Sequence, residues 1–443
     1  MGGAGGLGDA ARIAGQVADR GIDLRQRHTH DAGHRVGRGH TVTGTMTAAT
    51  GGGADSGIAG REAHVIRVTD DPSALDGPAW DGLLAAQSRP TPFMRHAYLA
   101  ALHTHGCAVA ETGWTPRFVS VHRGGELVAA APAYLKTHSY GEYVFDWAWA
   151  DAYQRHGLRY YPKLLVAVPF TPVPGTRLMA VDAAARAALL AGLQAVAEQE
   201  RASGLHLLFH ADDEAGAVAA AGGLVRHGVQ FHWQQPAGAA WPDFSAFLAS
   251  LTRDKRKKIQ QERRRVAEAG VHFTVHEGPD IDAGLWRMFY ACYANTYREH
   301  HSRPYLNPGF FQAMATQMAE HWVMFVARRD DRPIAVSLVA VDRTRGSAFG
   351  RYWGALEHLP CLHFEACYYQ PLQWCIAQGL QRFEGGAQGE HKMARGLLPT
   401  PTRSAHWLAH PRFNEAVADF LAQEGRGMAA YVDELQEHSP FKA

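Results

Sequence analysis

Between Phe349 and Gly396 the chain sets ionisable and aromatic side chains among glycines. Arg351, Tyr352 and Trp353 precede Gly354, and His363, Glu365, Tyr368 and Tyr369 surround the start of a helix that carries Pro371. Glu384, Gly385, Gly386, Gly389, Glu390, His391 and Lys392 close the stretch. Glu, His and Tyr are the usual proton-transfer groups, and glycine lets backbone approach a ligand closely. Such groups can serve as a general base, a general acid and a donor to developing negative charge. Glu365, Glu390, His363 and His391 are candidates for the base, and Tyr352 and Tyr368 for the acid. Arg351 and Lys392 are candidates to hold a carboxylate or phosphate, with Tyr352 and Trp353 beside them as substrate contacts. Any one of these residues is equally well explained as a buried hydrogen-bond partner or a helix cap. Together they read as the floor of a site. His363, Glu365 and His391 lack an HExxH or CxxC frame, so no metal is expected. No Gly-x-Ser-x-Gly is present to mark a serine nucleophile.

Two other stretches offer binding chemistry. From Asp146 to Lys163 the chain carries Trp147, Trp149, Tyr153, Tyr160 and Tyr161. This is either a packed loop or a ligand wall with Asp146 and Lys163 as polar anchors. From Arg253 to Arg265, Lys255, Arg256, Lys257, Lys258, Arg263 and Arg264 face only Asp254 and Glu262 in opposition. A solvated helix face is the ordinary meaning of such a run. The alternative is contact with phosphates, with Lys257 and Lys258 foremost. No DNA-recognition module accompanies it.

The elements that must position these groups follow from patterning. The chain has 443 residues, 46% of them hydrophobic, and a net charge of +1. This suits two or three soluble domains and excludes a polyanion binder of the whole-molecule kind. Five cysteines without CxxC spacing fit a reducing cytoplasm. No apolar run reaches membrane-spanning length, so no integral membrane contact is expected. Residues 1–62, rich in Gly, Ala, Thr, Arg and His, are expected to be disordered. After them one order of elements occurs twice: strand, two helices, an antiparallel hairpin, strand, helix, strand. The hairpins fall at Arg117–Lys136 and Trp322–Arg343, and basic residues of about 243–269 open the second copy as one helix. Residues 140–163 read as an aromatic loop and residues 413–437 as tail helices. The expected fold is α/β (α+β), with mixed central sheets in two domains, 63–235 and 236–443.

That order resembles the tandem form of the GNAT acyltransferase fold. Three sets of residues carry a closer likeness: TPFMRHAYLAAL, the basic TRDKRKKIQQERRRVAEAGV, and DWAWADAYQRHGLRYYPKLLVAVPFTPVPGTRL with RYWGALEHLPCLHFEACYYQ and EGGAQGEHKMARG. They resemble the FemAB-like peptidoglycan biosynthesis/recognition family, predicted N-acyltransferases related to the FemABX aminoacyl transferases. The resemblance implies acyl or aminoacyl transfer to an amine of a cell-wall precursor or small metabolite. Acyl-CoA or aminoacyl-tRNA would be the donor, and no cofactor would be tightly bound. The alternatives are recognition of a precursor or nucleotide without turnover, and tRNA association through residues 253–265. One departure bears on the donor. The glycine-paired turn that cradles pyrophosphate in acetyl-CoA-dependent relatives is replaced by FTPVPGTR in the first copy and WGALEHLPCLHFEA in the second. Proline has no N–H to offer such a cradle.

Overall fold

Two short parallel strand pairs, one in each half of the chain, fix where this molecule opens. The computed structural model describes residues 63–387 and 389–442, so the expected disorder of residues 1–62 lies outside the described residues. The first half runs β1 (Val65–Thr69), α1 (Gly77–Ala85), α2 (His96–Thr104), β2 (Trp114–Pro116), β3 (Phe118–Arg123), β4 (Glu126–Ala131) and β5 (Ala133–Lys136). It continues through α3 (Trp147–Arg155), β6 (Lys163–Val166), β7 (Met179–Ala180), α4 (Ala183–Gln199), β8 (Gly204–Leu207), α5 (Ala215–Ala220) and β9 (Leu224–Gln234). The second half runs α6 (Phe244–Ser250), α7 (Arg253–Glu268), β10 (Val271–Glu277), α8 (Ala283–Glu299), α9 (Pro308–Gln317), β11 (Trp322–Arg329), β12 (Arg332–Asp342) and β13 (Ser347–Ala355). It ends with α10 (Leu362–Phe364), a π-helical turn (Glu365–Tyr369), α11 (Gln370–Ala377), β14 (Arg382–Glu384), β15 (Leu398–Leu408) and α12 (Pro411–Glu437).

Local chemistry explains most boundaries. Asp182, Asp282 and Asn307 cap α4, α8 and α9 by accepting from the N–H groups of Ala185, Leu285 and Phe310. The β3–β4 hairpin turns at Gly124–Gly125 and the β11–β12 hairpin at Asp330–Asp331. All four have positive φ, as the tight hairpin turns require.

The strands form a four-stranded sheet, β1-β3-β4-β7, and an eleven-stranded sheet, β10-β11-β12-β13-β14-β9-β15-β8-β6-β5-β2. Within the larger sheet the halves exchange their last strands. β9, from the first half, lies antiparallel to β14 of the second, and β15, from the second half, lies antiparallel to β8 of the first. β9 and β15 then pair with each other from Leu398↔His232 to His406↔Leu224. One apolar cluster also crosses the halves: Phe93, Tyr98 and Leu102 pack with Phe310, Phe311, Phe349 and Tyr352. Burial of such large aromatic faces is the main term holding the halves together.

Three sequence expectations need correction. The stretch read as one basic helix is two, α6 and α7, separated at Leu251–Thr252. The aromatic stretch read as a loop contains α3, whose buried Trp149 and Tyr153 give it an apolar face. The tail is one long helix, α12, and the proline-bearing LPTPTRSAHWL, not read as a strand, is β15.

Candidate active site

β13 and β14 pair in parallel for three residues, from Ser347↔Arg382 to Phe349↔Glu384, and then part. A cavity of about 420 Å³ opens where they separate. β13 forms one wall. The register of β12 with β13 slips between Leu338 and Val339, which leaves Arg351 as the extra residue of a β-bulge. Gly350, Arg351, Tyr352 and Trp353 consequently all border the cavity. Past the bulge β13 is fastened to α8: Thr296 Oγ1 donates to the Trp353 carbonyl at 3.1 Å and Asn295 Nδ2 to that of Ala355 at 2.8 Å. Gly354 makes this approach possible, because a Cβ there would collide with the Cys292 backbone.

The opposite wall is the π-helical turn. A π turn is wider than an α turn and tends to occur at functional sites. Here it turns Cys367 and Tyr368 toward the cavity along with His363. Gly385 and Gly386 follow β14 and border the floor, and a Cβ on Gly385 would lie 2.6 Å from Leu397 Cδ2. The remaining walls come from α8 and its C-terminal end (Tyr293, Thr296, Tyr297, His300, Ser302) and from the first half (Tyr143, Phe170, Pro172).

Tyr368 Oη and His391 Nε2 lie 3.2 Å apart, and the His363 ring meets Tyr368 edge-on at 5.7 Å. Burial, with the nearby His391 and Arg395 adding to it, depresses His363 to about 4, so its imidazole is neutral at pH 7. Burial pushes the Cys367 thiol up to about 12 and raises the Tyr368 phenol as well. Both stay protonated, which removes Cys367 as a nucleophile. Lys392 is buried behind the floor, donates to the Gly386 carbonyl at 2.9 Å, and is lowered to about 8 by burial. Arg351 donates to the Phe170 carbonyl at 2.8 Å and lies over the rings of Phe93 and Tyr352.

The other sequence candidates sit elsewhere. Glu365 is buried with its carboxylate directed at α7, where Arg263 Nε reaches both oxygens at 3.1 and 3.2 Å and Gln370 donates at 2.7 Å. Glu390 is exposed and accepts from Tyr431 of α12. Lys257 and Lys258 are exposed on the outer face of α7, whose inner face docks through Ile259, Glu262 and Val266. Glu262 receives Arg395 and the hydroxyl of Tyr369.

Asp146, Tyr160 and Lys163 form a separate buried group in the first half. Lys163 donates to Ser139 at 2.8 Å, to Glu142 at 2.7 Å and to Asp146, which also accepts from Tyr160 at 2.7 Å. Burial pushes Glu142 up to about 7; it works the same way on Asp146, but Lys163, His206 and Ser139 together outweigh it and hold Asp146 at about 2. Tyr161 bonds Ser139, Tyr153 packs on Phe413, and Trp147 is largely exposed. Asp146, Tyr160 and Lys163 therefore brace the first half, and none of them borders the β13–β14 cavity.

Reading the sequence missed the contributions of α8 and the first half. The spacing of Tyr293 and Tyr297, one turn apart, and of Thr296 and His300, likewise four residues apart, was a usable signal for α8. Nothing local in the sequence marks Tyr143 or Phe170, although each has an unfavourable positive φ for a non-glycine residue, 64° and 58°.

The FemAB-like family profile, described as peptidoglycan biosynthesis/recognition, matches residues 72–443. The chain belongs to the FemAB-like family. Comparison with curated proteins gave no match. Among solved structures, FemX is similar at 11% identity, with a TM-score of 0.47 over 78% of this chain and 98% of that one. L-PGS from Bacillus licheniformis is similar at 10% identity, with a TM-score of 0.47 over 78% and 97%. A tandem GNAT protein from the clavulanic acid biosynthesis pathway follows at 12% identity, with a TM-score of 0.41 over 79% and 99%. The fold is α/β with mixed sheets, as expected, and the larger sheet runs through both halves. No described helix is long and apolar enough to cross a membrane.

Proposed function

We propose that this FemAB-like protein transfers an acyl or aminoacyl group to an amine of a cell-envelope precursor, in the cavity between β13 and β14. The observation that carries the reading is that His363 and Tyr368 border an opening made by parting parallel strands, with His391 Nε2 3.2 Å from the Tyr368 hydroxyl. The amine nitrogen attacks the activated carbonyl, and a C–N bond forms as the bond to the leaving group breaks. Neutral His363 accepts the proton that the amine loses. Tyr368 donates to the leaving oxygen or sulfur and is reprotonated through His391. No covalent intermediate is needed, in keeping with the protonated Cys367.

Aminoacyl-tRNA fits better than acyl-CoA as the donor. The turn 354–361 offers Pro360 where a pyrophosphate cradle needs N–H groups. Helix α7, with Lys257, Lys258, Arg264 and Arg265 exposed, docks through Arg263–Glu365 on the very turn that carries Tyr368. A polyanion lying on α7 would be within about one helix diameter, ~10 Å, of the cavity wall.

The test is a mass-spectrometric transfer assay that pairs aminoacyl-tRNA or acyl-CoA with nucleotide-linked precursors. Tyr368→Phe and His363→Ala are expected to lose about 100-fold or more in kcat. Unchanged turnover in both variants would overturn the assignment of chemistry to this cavity.

A further inference from the structure

The cavity is bordered by a cation that has no counter-ion among the described residues. Arg351 is the bulged residue of β13, and its Nε is sealed from solvent without a hydrogen-bond partner. Its terminal nitrogen reaches the Phe170 carbonyl at 2.8 Å and Thr171 Oγ1 at 3.4 Å, and its guanidinium also meets Tyr352. Nearby arginines are neutralised differently: Arg263 pairs with Glu365, Arg395 with Glu262 and Arg89 with Glu384. Arg351 has no carboxylate partner among the described residues, and no Asp or Glu is among the residues that border the cavity. Arg351 is half-buried with its Nε sealed, and a partly buried guanidinium carries a cost without a compensating anion. Its planar fork matches carboxylate and phosphate oxygens.

We infer that the cavity is built for a ligand that carries an anionic group, a carboxylate or a phosphate, which Arg351 binds. The inference rests on the transfer reading for the identity of the site, but it names the substrate class independently: the molecule entering between β13 and β14 is an acid as well as an acyl donor or amine. Thr171 and Tyr98, whose hydroxyls lie 3.2 Å apart, with Tyr98 3.4 Å from that of Tyr352, hold the loop and ring against which the guanidinium is set. Arg351 is thus a specificity residue that touches substrate, while proton transfer belongs to His363 and Tyr368.

The experiment measures binding calorimetrically on the full chain, without turnover. The probes are alanyl-alanine, its C-terminal amide, uridine monophosphate and uridine. One acid is expected to bind at least about 10-fold tighter than its neutral partner. That preference is expected to vanish in Arg351→Gln and to return in part in Arg351→Lys, which also controls for folding. A preference for the dipeptide acid names a carboxylate, and a preference for the nucleotide names a phosphate. Equal binding of acids and neutral partners, no binding of either acid, or a preference that survives Arg351→Gln overturns the inference. Acid binding through Arg351 with no transfer activity leaves the anchor standing and removes the transferase reading. Transfer at full rate by Arg351→Gln does the reverse.

Discussion

The two halves of the molecule solve the same structural problem in opposite ways. In each, a parallel strand pair holds for three residues: Leu164–Val166 with Leu205–Leu207 in the first half, Ser347–Phe349 with Arg382–Glu384 in the second. In the first half the gap beyond the pair is closed by residues 167–178. Gly175 N–H donates to the Phe209 carbonyl at 3.0 Å, and Arg177 Nε to that of Leu208 at 3.1 Å. Arg177 is 1% exposed and also bonds the carbonyls of Val173, Gly175 and Thr176. In the second half no described segment closes the gap in this way, and the cavity lies there. The same loop that seals the first half contributes Phe170 and Pro172 to the cavity of the second, held there by Gln230, which donates to the Pro172 carbonyl at 2.8 Å. The loop closes one half and lines the cavity of the other, and each half has its own arginine. Arg177 bonds four backbone carbonyls, whereas Arg351 bonds one and borders the cavity.

The sharpest way to break this contrast is to exchange the consequences of the two arginines. Arg177→Leu strands four buried carbonyls and is expected to destabilise the fold by about 3 kcal/mol or more. Arg351→Gln is expected to cost less than about 1 kcal/mol. Urea midpoints at constant m-value decide it, and equal losses would mean that both arginines are structural. Next in size is the activity loss of Tyr368→Phe, about 100-fold. Asp146→Asn in the first-half cluster is expected to lower stability by about 2 kcal/mol while leaving the residual kcat of the folded fraction unchanged. A kcat that falls with it would place the Asp146 cluster in the chemistry after all.

A pH series sharpens the same division. His206 and His406 face each other across the exchanged strands, with Nδ1 atoms 2.8 Å apart. Burial depresses His206 to about 3 and lowers His406 too. Both refuse protons that the unfolded chain accepts below its ordinary histidine range, near 6.5. The unfolded state thus binds more protons as pH falls, so stability is complete above about 6.5 and declines toward 3. The slope is up to about 1.4 kcal/mol per pH unit for each histidine. Unfolding free energies between pH 6.5 and 4.5 should fall less steeply in His206→Gln/His406→Gln; an unchanged slope would assign the acid sensitivity to other groups, such as His232 or His363. The smallest effect is expected from Lys257→Glu with Lys258→Glu. Both side chains are exposed, and the melting temperature should not move. Undiminished tRNA retention by that double variant in a filter-binding assay would detach α7 from the donor.

Much of this architecture was legible in the chain because it rests on local periodicity. The doubled order of elements and the hairpins at Gly124–Gly125 and Asp330–Asp331 follow from residue types at short spacing, and Arg351, Tyr352, Trp353, His363 and Tyr368, singled out by type, border one cavity. β15 was not legible, since Pro399 and Pro401 argue against a strand until β9 is there to pair with it. Nor was the separation of Glu365 from Tyr368. Three residues apart, both look available for catalysis, but the π turn and the docking of Arg263 direct one to α7 and the other to the cavity. The sequence by itself determined the repeat, its elements and the residue types able to transfer a proton. Tertiary structure alone decided which of the two splayed strand pairs stays open. That outcome depends on long-range contacts, a bulge register and a loop from the other half, none of which leaves a periodic trace along the chain.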